Sequence, residues 1–114
     1  MAGKKGRRRD KREKRVDQTL YLSGKRRGAV LKEEVWYEGG RVVKYSLAYI
    51  NPRIYDGDNG RVLGYDNTHD YHHRHFMGKV EKIEFHGYEA LVTRFEQQDP
   101  GYQPRRERFP RADA

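Results

Sequence analysis

The residues best equipped for chemistry lie between Tyr65 and His75, Tyr-Asp-Asn-Thr-His-Asp-Tyr-His-His-Arg-His, where four of the chain's five histidines fall. Two aspartates, an arginine, an asparagine and two tyrosines accompany them. So dense a set of titratable groups points to chemistry or binding, because imidazole changes charge near neutral pH. Metal-free RNA cleavage by the 2′-hydroxyl needs a base, an acid and a cation for the charge on phosphorus. His73, His75 and Arg74 supply those three roles, with His69 and His72 as alternates. Asp66 or Asp70 would orient an imidazole and fix its tautomer. Tyr65 and Tyr71 are candidates for stacking a base, beside Asn67 and His69 as substrate contacts.

Two other readings use the same residues. His69, His72, His73 and His75 with Asp66 and Asp70 could ligate zinc, and in an extended segment His73 and His75 project to one side. The spacing lacks the second ligand pair of specific zinc motifs, so no metal and no cofactor are expected. Alternatively, Asp66-Asn67-Thr68 is turn chemistry, and the whole stretch could be an exposed polar loop. His86 reads as a helix-flanking turn residue.

The charge distribution bounds the rest. The chain has 114 residues and a net charge of +8, 34% hydrophobic and 37% charged. Residues 1–15 hold nine Lys/Arg and two acids, residues 16–95 twelve and eleven, residues 96–114 four of each. The basicity is therefore an arm rather than a property of the fold. Lys4, Lys5, Arg7, Arg8 and Arg9 would give loose, sequence-independent attraction to RNA. Cysteine is absent, which excludes disulfides, thiolate metal sites and a cysteine nucleophile. No apolar run is long enough for a bilayer and no signal peptide is recognisable, so no membrane partner and a cytoplasmic location are expected.

Three segments are expected: a largely disordered arm over 1–28, one α+β domain over 29–98, and a flexible polar tail over 99–114. Val16 to Leu22 is open between helical turns and an edge strand. Val30–Glu38 and Arg41–Ile50, joined by Gly39-Gly40, predict a hairpin, since glycine permits positive φ at both turn positions. Both faces of the second strand are partly apolar, which predicts a central position. Asn51–Gly60 reads as a long hairpin connection, Arg61–Asp66 as a third strand and Lys79–Phe85 as a fourth. Tyr88, Leu91, Val92 and Phe95 form one apolar stripe at helical spacing. These elements predict a small antiparallel meander of three or four strands with one C-terminal amphipathic helix packed on it. So small a core also favours a partner or a homo-oligomer.

Tyr45-Ser46-Leu47-Ala48-Tyr49-Ile50, Arg61-Val62-Leu63-Gly64-Tyr65-Asp66-Asn67, His72-His73-Arg74-His75 and the Tyr88–Phe95 helix together resemble the TumE-type toxins of prokaryotic toxin–antitoxin modules. The resemblance covers residues 30–97. It carries Tyr65, Asp66, Asn67, His72, His73, Arg74 and His75 over as motif positions. The Asn51–Gly60 loop is longer than the family pattern, and the arm and tail fall outside it. The resemblance implies a cytoplasmic toxin neutralised by a cognate helix-turn-helix antitoxin, with RNA as its target and endoribonuclease activity. A non-enzymatic module binding nucleic acid or the ribosome, and a metal-dependent nuclease, are the alternatives.

Overall fold

The computed structural model describes residues 12–98. Its six strands are β1 (Glu13–Tyr21), β2 (Val30–Glu38), β3 (Arg41–Ile50), β4 (Arg61–Asp66), β5 (His73–Phe76) and β6 (Lys79–Lys82). They form one antiparallel sheet in chain order, followed by the one α-helix among the described residues, α1 (Tyr88–Gln98). The α+β class, the meander and the C-terminal helix stand as expected. The strand count does not: six strands replace three or four.

Both additions have physical reasons. β1 lies in the stretch assigned to the arm, where Val16 to Leu22 is open between helical turns and an edge strand because charges mask a period-two pattern. Val16, Gln18 and Leu20 turn inward onto Val35, Glu33 and Leu31 of β2, and their neighbours are exposed. β5 lies inside the histidine stretch itself, zipped between β4 and β6. β3 is central, and Gly39 and Gly40 close its hairpin with β2 at φ 59° and 80°.

α1 covers one face only. Its Tyr88, Leu91, Val92 and Phe95 are buried with Leu31, Val35, Tyr45, Leu47, Tyr49, Leu63 and Tyr65 of the sheet. Phe95 meets Tyr65 edge-on at 6.2 Å, and the Tyr88 hydroxyl donates to the buried Glu33 carboxylate at 2.6 Å. Burying that set removes the apolar stripe from water, the main stabilising term for so small a domain. No described helix is long and apolar enough to cross a membrane. The opposite face of the sheet carries no helix among the described residues, and the polar site is built there.

Candidate functional site

Strand register assembles the site. Asp66 pairs with His73 and Gly64 with His75 across β4 and β5, so all four share the face turned away from α1. Asp66 Oδ1 lies 2.8 Å from His73 Nε2, and Oδ2 lies 3.1 Å from His75 Nε2. One carboxylate thus holds both imidazoles, whose ring centres are 4.8 Å apart. The Thr68 backbone N–H donates to Asp66 Oδ1 at 3.0 Å, an Asx turn that fixes the carboxylate.

Arg61 completes the cluster. β3 and β4 slip register between Tyr49 and Ile50: Tyr49 opposes Leu63, yet Ile50 opposes Arg61. Val62 is the extra, bulged residue. By strict alternation Arg61 would share the face of Leu63, beneath the helix. The bulge re-aims it onto the histidine face. There Arg61 Nη2 donates to His75 Nδ1 at 3.0 Å and Nη1 lies 3.5 Å from Asp66 Oδ2. Its Nε is held by Asp58 Oδ2 at 2.8 Å.

The partners decide the tautomers. His75 Nδ1 faces a guanidinium and must accept, so the ring is neutral with its proton on Nε2, donated to Asp66. Burial pushes the His75 pKa down and Arg61 pushes it further; Asp66 and Asp58 oppose this, and the net shift is downward. His73 has acceptors on both sides, Asp66 and the Tyr71 carbonyl at 3.0 Å from Nδ1. With an acceptor at each nitrogen, the ring donates on both sides once it is protonated. For Asp66, burial pushes the carboxyl up. The Thr68 hydrogen bonds and the two histidines outweigh it, and the net shift is downward.

The site is closed as it stands. Side-chain exposure is 5% for His73, 11% for Asp66, 13% for His75 and 22% for Arg61. The half-exposed Tyr71 ring sits 4.7 Å from the His73 ring and forms part of the cover.

Other residues singled out in the sequence lie elsewhere. Arg74 alternates to the helix face, opposite Tyr65. It pairs with Glu81 at 3.2 Å, donates to Gln98 at 3.2 Å and lies over the Phe76 ring. His72 also turns from the site, stacked on Phe85 at 3.9 Å with Nδ1 2.9 Å from the Tyr45 hydroxyl. Tyr65 is fully buried, with its hydroxyl on Gln98. Asn67 is used structurally: its side chain accepts from Tyr45 N at 3.1 Å and donates to Val43 O at 2.9 Å, extending the ladder past the end of β4. His69 is exposed in the turn Thr68–Asp70, and His86 is exposed beside Glu84. Lys4, Lys5, Arg7, Arg8 and Arg9, and the tail, lie outside the described residues.

Asp66, His73 and His75 could also hold a metal, since one donor atom from each falls within 4.8 Å of the others. His73 has the outer hydrogen bond a ligand needs, its Nδ1 against the Tyr71 carbonyl. His75 does not. Ligation through Nε2 would put its proton on Nδ1, against the donor Arg61.

The fold and site define a small α+β protein with a preorganised Asp–His–His–Arg cluster on the sheet face opposite its helix. The family model described as toxin TumE matches residues 7–100. The chain belongs to this toxin family. Neither a curated protein nor a solved structure matches it.

Proposed function

We propose that this toxin is a metal-independent endoribonuclease acting through His73, His75 and Arg61. The observation that carries the reading is the single carboxylate of Asp66 holding two imidazoles with opposite partners, a guanidinium at His75 Nδ1 and a carbonyl at His73 Nδ1. Two imidazoles with opposite hydrogen-bond partners can supply the base and the acid of one reaction. Arg61 turns from His75 Nδ1 to the substrate phosphate, which frees that lone pair. His75 Nδ1 then takes the 2′-hydroxyl proton as the 2′-oxygen attacks phosphorus. The P–O5′ bond breaks, and the His73 imidazolium gives its proton to the leaving 5′-oxygen. The products are a 2′,3′-cyclic phosphate and a 5′-hydroxyl. Arg61 takes the cationic role first considered for Arg74, and Tyr71 must swing aside to admit the strand. As a toxin the protein would be held inactive by a cognate antitoxin, with the helix-turn-helix type expected from the sequence, in the cytoplasm.

The convergence of Asp66, His73 and His75 supports a second reading, a metal-dependent nuclease. One experiment separates the two: cleavage of RNA by purified protein in excess chelator, wild type beside a His73→Ala, His75→Ala variant, with product ends identified. The expected result is chelator-resistant cleavage leaving 2′,3′-cyclic phosphates, lost in the variant. Cleavage abolished by chelator moves the histidines to metal ligands. Equal cleavage by wild type and variant overturns both readings.

A further inference from the structure

Beside the cluster, where β4 ends and β5 begins, a polar groove of about 320 Å³ opens at the end of the sheet. Arg12, Lys44, Thr68, His69, Asp70 and His72 line it. We propose that this groove is a second RNA subsite, taking the phosphodiester of a nucleotide that flanks the scissile one. The inference rests on the reading of the Asp66 cluster as an RNA-cleaving site.

Three observations carry it. The first is charge. Arg61, Arg74 and Lys14 each have a carboxylate partner, Lys14 two of them at 3.1 and 2.9 Å. Arg12 and Lys44 have no carboxylate within ion-pair distance among the described residues. Lys44 Nζ is held 4.6 Å from the Trp36 ring centre, a cation–π contact that orients the ammonium without neutralising it. Two uncompensated cations against the one acid of the groove, Asp70, suit an anion with one charge per nucleotide.

The second is backbone strain. His69 and Asp70 are consecutive non-glycine residues in the left-handed region, at φ 65° and 67°. That conformation is uncommon outside glycine, and strain of this kind concentrates at binding sites. Glycine would relieve it, but glycine would present no side chain to the groove.

The third is continuity. Thr68, which lines the groove, donates its backbone N–H to Asp66 Oδ1, so one hydrogen bond joins groove wall and cluster. A strand seated at His73 and His75 reaches the groove by running past Thr68. Its occupant is single-stranded RNA, whose flexible backbone can bend past Thr68 at the end of the sheet where a rigid duplex would not.

The test uses the full chain with Lys44→Glu and, separately, Arg12→Glu. Lys25→Glu is the control, equal in charge change but located in the β1–β2 turn at the other end of those strands. Binding is read by anisotropy of a fluorescein-labelled single-stranded RNA over a salt series, and cleavage by separate kcat and KM. The expected result is binding weakened about tenfold by each groove variant. The log–log salt slope falls by about 0.7 per lost contact, KM rises and kcat is unchanged, with the control near wild type. Groove variants that bind like Lys25→Glu overturn the inference, as does a wild type that does not bind the RNA. Binding that depends on Lys44 and Arg12 in a protein that cleaves nothing sustains the groove and removes the cleavage reading. Arg12 is exposed, so its variant still decides if Lys44→Glu fails to fold.

Discussion

The Arg61 side chain runs directly over Gly64. A Cβ at position 64 would stand 2.6 Å from Arg61 Cδ and 3.1 Å from the Leu47 carbonyl oxygen. The glycine is therefore the floor of the guanidinium's path to His75 and Asp66, and its φ needs no special freedom. Gly64→Ala should push Arg61 off the cluster, lower RNA cleavage about 100-fold, the scale of one lost electrostatic contact, and destabilise the fold by about 1–3 kcal/mol. A Gly64→Ala, Arg61→Ala double variant checks the cause. Urea unfolding should recover part of the stability, and activity should stay low.

Arg61 and Arg74 make opposite predictions. Arg61→Ala removes the guanidinium that faces both His75 and Asp66 and should abolish most activity. Arg74→Ala removes a half-exposed pair with Glu81 and a contact to Gln98 on the helix face. It should leave kcat near wild type and cost less than about 1 kcal/mol. Side-by-side turnover rates decide the assignment, and a large loss for Arg74→Ala alone would sink it.

This contrast also marks what was legible in the sequence. The Gly39-Gly40 hairpin, the α1 stripe and the shared face of His73 and His75 follow from local rules of turn conformation and periodicity. Arg61 does not, because alternation assigns it to the helix face and only the bulge at Val62 reverses that. A bulge is a property of two strands in register, and neither strand alone encodes it. β1 was obscured because Glu13, Lys14, Arg15 and Asp17 continue the charge pattern of the arm, while Val16 and Leu20 suffice only for an edge strand. His-Arg-His-Phe read as loop because of its polarity, although its alternation is that of the strand it forms.

Asp66 should be the most sensitive position for both stability and activity. Asp66→Ala leaves both imidazoles without their carboxylate in a nearly closed site, while Arg61 keeps Asp58, and should cost about 3–5 kcal/mol. Asp66→Asn is nearly isosteric, yet its amide cannot accept from both rings. One histidine must change tautomer, as when the triad aspartate of a serine protease becomes asparagine, and a loss on the order of 10⁴ in kcat is expected. Urea unfolding and turnover measured together separate the two variants: Asn should keep more stability than Ala while losing comparable activity.

Stability should fall on acidification in two windows. His72 and His75 both titrate below their ordinary 6.5, each chiefly through burial. The unfolded chain therefore binds protons first, and stability present above about 6.5 is lost as pH falls from there through the folded values. Asp66 is also lowered, so its contribution is present above about 3.8 and lost as pH drops below that. Unfolding free energies across pH should decline in both windows. His75→Gln should flatten the upper one in part, leaving the share that belongs to His72.

The pH dependence of cleavage tests the proposed base. His75 must be neutral to accept the 2′-hydroxyl proton, so the acid limb of kcat/KM should lie below the usual imidazole value. Burial is the larger cause of that shift and Arg61 the next, with Asp66 and Asp58 pulling the other way and His73 adding a smaller downward push. Arg61→Lys keeps a positive charge but cannot make the same fork of contacts, so it should lower the rate and move the limb little. Arg61→Gln removes the charge, and the limb should move upward toward the ordinary range. A limb that stays in place in Arg61→Gln while the rate falls would mean that the base is not His75. Its proton would then be taken by a group outside the reach of Arg61.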